Sequence, residues 1–109
     1  MSGIKTKKLE SEIHLKLSEI IAELSNEKLR ETTITEVILN NDNSVAKVYV
    51  SFLKPKDEQT FFELKKASNV IRKNLAHLLS IKKVPFIEFI LDDMLDRINE
   101  MEKLIDESN

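Results

Sequence analysis

Residues 64–84 read LKKASNVIRKNLAHLLSIKKV, and the rest of the chain is organised around this stretch. Val70, Ile71, Leu75, Leu78 and Leu79 recur at helical spacing, so one stripe of a helix can bind a core. Asn69, Arg72, Lys73, Ala76, His77 and Ser80 fall on the opposite side of the same helix. The stretch holds six cations, Lys65, Lys66, Arg72, Lys73, Lys82 and Lys83, and no Asp or Glu lies between Glu63 and Glu88. Positive charge on one side of an element, with an apolar side opposite, is the geometry of a polyanion-binding face. A solvated lysine face is the alternative that charge alone leaves open.

Working outward, Lys54-Pro55-Lys56-Asp57 is a break, and Asp57 can cap a helix that starts near Glu58. Phe61, Phe62, Leu64 and Ala67 give that helix its apolar side. An unbroken run from there to Leu79 is long for a chain of 109 residues. Ser68-Asn69 is where a break is expected, because both residues favour caps and bends. Further upstream, Thr32 to Leu39 is β-branched and reads as a strand. Val45 to Leu53 alternates, with Ala46, Val48, Val50 and Phe52 on one side and Lys47, Tyr49 and Ser51 on the other. The polar run Asn40 to Ser44 makes the turn of an antiparallel hairpin. Leu9, Ile13, Leu17, Ile20, Ile21 and Leu24 mark a first helix of about four turns, with Ser25-Asn26 as its end and Asn as a left-handed C-cap. Residues 1–8 are expected to be a frayed, flexible arm carrying a second basic cluster, Lys5, Lys7 and Lys8.

Downstream, Pro85 to Leu91 reads as a third strand, with Ile87, Phe89 and Leu91 toward the core and Glu88 outward. Asp92 or Asp93 then caps a final helix over residues 93–109, apolar at Met94, Ile98, Met101, Leu104 and Ile105 and acidic on its other face. The expected fold is one α+β domain over residues 1–109, a three-stranded sheet covered by helices in the order α-β-β-α-α-β-α.

Composition narrows the chemistry. There are no cysteines, which excludes disulfides, thiolate catalysis and cysteine-bound zinc. His14 and His77 lack metal-ligand spacing, and a single glycine, Gly3, excludes Gly-rich phosphate loops. No metal or cofactor is expected. No apolar run approaches the ~18 residues of a membrane span, so a soluble, cytoplasmic protein is expected. The net charge of −2 conceals a split: residues 92–109 hold seven acids and two bases, a balance of −5, and residues 1–91 hold 15 bases and 12 acids, a balance of +3.

The element order without its last helix is similar to that of the type II KH fold, an RNA-binding module that clamps nucleic-acid backbone with a G-x-x-G loop between its two central helices. Here Ala67-Ser68-Asn69 stands at that place, flanked by Lys65, Lys66, Arg72 and Lys73. This resembles the ribosome-binding factor A family, in which a kink, usually Ala-x-Gly, replaces the glycine loop. Leu17 to Ile21, Asn26-Glu27-Lys28-Leu29, Val45 to Ser51, Ala67 to Leu79, and Val84-Pro85 with Ile87, Phe89 and Asp92 resemble the family in order along nearly the whole chain. The chain departs from it at Asn69, in place of the kink glycine, and at Met94, Ile98 and Glu100, where the family usually has Ser, Gly and Arg. Asn tolerates a left-handed conformation better than most residues, so a kink built on Asn69 can survive at some cost.

The resemblance implies a KH type II-like α-β-β-α-α-β fold with a kinked central helix pair and an extra C-terminal helix. It implies a non-enzymatic, monomeric protein that binds the small ribosomal subunit and its rRNA, assists late maturation and processing of the 5′ end of pre-16S rRNA, and is associated with growth in the cold. Lys65, Lys66, Arg72, Lys73, Lys82 and Lys83 would then neutralise phosphates, with His77 beside them and Lys5, Lys7 and Lys8 as a flexible second contact. Ser68 and Asn69 would hydrogen-bond backbone or 2′-hydroxyl groups, or only shape the kink. Tyr49 could stack on a base, though a strand tyrosine packed beneath a helix is the expected outcome.

Two other classes of function bear on the same residues. Glu88, Asp92 and Asp93 lie near a strand end, as the carboxylates of a small enzyme would, yet no nucleophile-and-base set accompanies them. The acidic C-terminal helix could instead make the chain a protein-interaction module.

Overall fold

The computed structural model describes residues 3–52, 58–79, 81 and 83–92, with side chains from Thr6 onward. Within them lie helix α1 (Gly3–Ala22), helix α2 (Glu27–Arg30), strands β1 (Thr33–Leu39) and β2 (Val45–Ser51), helices α3 (Glu58–Lys66) and α4 (Ser68–Leu78), and strand β3 (Phe86–Leu91). The architecture is α+β, a three-stranded sheet in the order β1-β2-β3. β1 and β2 are antiparallel, as a hairpin requires, whereas β3 runs parallel to β2. Parallel neighbours need a crossover connection, and α3 and α4 supply it.

The hairpin turn is held by its own side chains. Asn40 Oδ1 accepts from the Val45 N–H at 2.9 Å, and Asp42 Oδ1 accepts from the Ser44 hydroxyl at 2.6 Å. The Ser44 bonds, hydroxyl first and N–H second, hold the Asp42 carboxyl below its ordinary value. Asn43 is the one non-glycine residue with positive φ among the described residues, at 58°, a conformation Asn adopts at modest cost.

One face of the sheet carries the core. Ala46, Val48 and Val50 of β2 are fully buried, and Ile34, Val37 and Leu39 of β1 join them. Ile34 and Val37 lie three apart and still share a face, because the β1–β2 register shifts between Ile34 and Glu36, which absorbs the extra residue as a bulge. From the helices come Ile13, Leu17, Ile20 and Ile21 of α1, Leu64 of α3, and Ile71 and Leu75 of α4. Each fully buried Leu or Ile contributes roughly 1.5–3 kcal/mol of transfer free energy.

Several local expectations are corrected. α1 begins at Gly3, so residues 3–8 form its first turns instead of a frayed arm. Glu10 helps explain this: its Oε2 accepts from the Leu39 N–H at 2.7 Å and ties the helix to the outer edge of β1. Asn26 is not a left-handed C-cap. Its φ and ψ are −79° and 112°, and its Oδ1 accepts from the Lys28 N–H at 3.0 Å, making it the N-cap of α2. Its Nδ2 also donates to Glu63 Oε2 at 3.2 Å, joining the start of α2 to α3.

The break in the central helix falls at Ala67, one residue before the expected pair. Ala67 has φ −83° and ψ −1°, and Asn69 sits inside the first turn of α4 with no positive φ. The kink therefore needs no left-handed residue, and Asn in place of Gly is no obstacle. Val70 and Leu78, assigned to the apolar stripe, are 59% and 44% exposed. Tyr49 is half-buried and lies on the sheet face opposite the core, between Glu36 and Ile90, not packed beneath a helix of the described residues. The Asp57 cap and the helix expected over 93–109 lie outside the described residues.

Candidate nucleic-acid interface

The last turn of α3 and the first turns of α4 lie beside β3, an edge strand of the sheet. Lys65 and Ser68 line a groove with Ile87, Glu88 and Phe89 of that strand. A second groove, about 440 Å³, continues along α4 between Asn69, Arg72, Lys73, Ala76 and Val84. The kinked pair thus lies along the outer edge of β3, which has no strand partner among the described residues. In the β2–β3 ladder, Phe86 N–H donates to Ser44 O and Asp92 N–H to Val50 O. A parallel ladder alternates, so the backbone groups of Ile87, Phe89 and Leu91 turn away from β2. Those of Ile87 and Phe89 then face the first groove, beside Lys65 and Ser68.

The cations differ in how free they are. Lys65 and Lys66 are exposed, with Nζ 5.2 Å from the Phe61 ring centre and 5.0 Å from that of Phe62. Such contacts orient an ammonium without neutralising it. Lys73, His77 and Lys83 are exposed as well. Arg72 is not free. Its Nε donates to Pro85 O at 3.1 Å and its Nη2 to Val84 O at 2.8 Å, both partly buried. Its guanidinium carbon also lies 4.0 Å from the Phe86 ring centre. Sequence placed Arg72 among phosphate ligands; the structure commits it to the connection between α4 and β3.

The second basic cluster lies elsewhere. Lys7 lines a groove with Glu10, Ser11 and His14 of α1 and Thr35, Glu36 and Val37 of β1. Because β1 and β3 are opposite edges of the sheet, Lys7 and the kink are not one surface. Lys8 is exposed on the same helix. The side chain of Lys5, and all of Lys82, lie outside the described residues.

The strand-end carboxylates separate too. Asp92 Oδ2 accepts from the Thr35 hydroxyl at 2.6 Å, bridging the end of β3 to the bulge of β1 across β2. Glu88 lines the groove beside Lys65, and Asp93 lies outside the described residues. Phe86, read only as a strand residue, is 60% exposed and stands against Arg72. Its outward position was legible from its parity with Glu88, but its pairing with a cation on another element was not.

The family model described as Ribosome-binding factor A matches residues 5–105. The chain belongs to this family. The ribosome-binding factor A of Mycoplasmoides gallisepticum is 35% identical over 109 residues, covering 98% of this chain and 92% of that protein. Among solved structures, the crystal structure of ribosome-binding factor A from Thermus thermophilus superposes with a TM-score of 0.72 at 28% identity, covering 78% of this chain and 92% of that one. A homology model of the Thermus thermophilus factor, fitted into the cryo-EM map of a 30S–factor complex, gives 0.69 at 28% identity, covering 79% and 93%. No helix among the described residues is long and apolar enough to cross a membrane.

Proposed function

We propose that this protein binds the small ribosomal subunit through its rRNA, presenting the kinked α3–α4 pair and the free edge of β3. In this reading it assists late subunit maturation and processing of the 5′ end of pre-16S rRNA, acts in the cytoplasm, and works by binding, not catalysis. Family membership supports the reading, as does the likeness to a factor fitted into a 30S complex. The observation that carries the site is the groove beside β3, where Lys65 and Ser68 stand next to Ile87, Glu88 and Phe89. Such an arrangement can neutralise phosphates and hydrogen-bond the edges of unstacked bases.

Lys65, Lys66, Lys73 and Lys83 neutralise phosphates in this scheme, with Lys82 and His77 extending the basic surface. Ser68 and Asn69 bond backbone or 2′-hydroxyl groups at the start of α4. Arg72 borders the second groove and braces the connection to β3. Lys5, Lys7 and Lys8, set at the other edge of the sheet, form a separate contact. Each neutralised phosphate contributes roughly −0.7 to −0.9 to the log–log salt slope.

The test is sedimentation with small ribosomal subunits, comparing wild type with a Lys65→Glu, Lys66→Glu, Lys73→Glu variant whose fold is checked by circular dichroism. Co-migration of wild type alone, weakening as salt rises, is the expected result. Equal binding by both would move the site to the Lys7–Lys8 side, and binding by neither would overturn the reading.

A further inference from the structure

Phe86 is more exposed than any other large apolar side chain among the described residues, at 60%. Exposure alone does not set it apart, since Val70, Phe62 and Leu15 are 59%, 58% and 58% exposed; its contact with a fixed cation does. Here one face is already defined. The Arg72 guanidinium carbon lies 4.0 Å from the ring centre, and the guanidinium is fixed by its bonds to Val84 O and Pro85 O. Pro85, itself buried, restricts the backbone immediately before the ring. Ring and cation together make a stack anchored at the start of β3, and the exposure of Phe86 belongs to its remaining surface.

The surroundings narrow what could lie there. Arg72 also lines the groove of about 440 Å³ that carries Asn69, Lys73, Ala76 and Val84. Lys73 and Lys83 are exposed. Cations favour an anionic polymer, and a flat, anchored π-face favours a flat unsaturated ring. An unpaired nucleotide joins both features in one ligand.

We propose that Phe86 is a stacking platform for one unpaired base of a single-stranded RNA segment, with Arg72 as the residue that positions it. The inference rests on the RNA-binding reading above and adds a base contact to its phosphate contacts. The lysines set affinity through charge, and Phe86 adds a component that depends on the base and not on salt. Phe86 leads into the strand edge whose Ile87 and Phe89 backbone groups face the groove.

The experiment measures binding of wild type, Phe86→Ala, Phe86→Leu and Phe86→Trp to a labelled, unstructured RNA oligonucleotide by fluorescence anisotropy. Inorganic polyphosphate serves in parallel as a backbone-only competitor. Because the chain contains no tryptophan, the Phe86→Trp variant also carries a single indole reporter. Phe86→Ala and Phe86→Leu should each weaken RNA binding roughly 5- to 30-fold, with the salt slope and the affinity for polyphosphate itself unchanged. Phe86→Trp should bind as tightly as wild type, and its emission should be quenched by RNA but not by polyphosphate. RNA binding undiminished in Phe86→Ala, or preserved in Phe86→Leu, would overturn the platform while leaving the RNA reading intact. Indole emission unmoved by RNA would do the same. Wild type that binds no RNA would overturn both.

Discussion

Across Ala67 the chain repeats one sequence pattern, an apolar pair followed by cations, and the two copies do different things. Before it, Phe61-Phe62 precede Lys65-Lys66; after it, Val70-Ile71 precede Arg72-Lys73. In α3 both lysines stay exposed, each lying over a phenylalanine ring one turn earlier. In α4 the arginine turns inward to two backbone carbonyls and a ring that come later in the chain, at Val84, Pro85 and Phe86. The difference follows from side-chain chemistry. A guanidinium offers a fixed planar fork that can satisfy two acceptors and stack at once, whereas an ammonium is a hydrated point charge. The comparison teaches that a basic stretch overstates the charge available to a ligand.

The largest test of that comparison concerns its apolar halves. Ile71 is fully buried and its neighbour Val70 is 59% exposed. Urea denaturation should therefore show Ile71→Ala costing about 2–5 kcal/mol and Val70→Ala within about 0.5 kcal/mol of wild type. A comparable loss at Val70 would mean that the buried stripe of α4 extends beyond Ile71 and Leu75. Next comes Arg72. Replacing it with Ala removes two charge-assisted bonds that are partly open to solvent, so a loss of about 1–3 kcal/mol is expected. Arg72→Lys should recover only part of it, since an ammonium cannot match the fork. Unaltered stability in Arg72→Lys, joined to a flatter salt dependence of RNA binding in Arg72→Ala, would return this residue to the phosphate ligands. The smallest effect concerns the kink. Asn69 is right-handed and helical, so Asn69→Gly should destabilise by about half a kcal/mol or less. A gain in thermal stability would instead point to a left-handed residue at that position.

The strands were legible because alternation in Val45 to Ser51 and the β-branched run of Thr33 to Leu39 leave little choice of partner face. α2 was not, since a single turn such as Glu27–Arg30 is too short for periodicity to register. Asn26 then had two possible roles, ending one helix or starting the next, and composition favours neither. Helical spacing placed Ile71, Leu75 and Leu79 correctly but could not say which flank of the stripe the sheet would cover. Spacing alone therefore turns Val70 and Leu78 inward, where the fold leaves them exposed. Of the candidate site, the exposure of the lysines and the place of Ser68 beside the helix break follow from charge and position in the sequence. The engagement of Arg72 and the consequence for Phe86 do not, because both depend on carbonyls brought close only by the crossover from α4 to β3.

The most direct test is the salt dependence of affinity for small ribosomal subunits, measured for wild type and for a Lys65→Gln, Lys66→Gln, Lys73→Gln variant. If these exposed lysines each neutralise a phosphate, the log–log slope should shallow by roughly 2 to 3, with the fold unchanged. A variant that keeps both the affinity and the slope of wild type would contradict the assignment of the kinked helix pair as the RNA-facing surface.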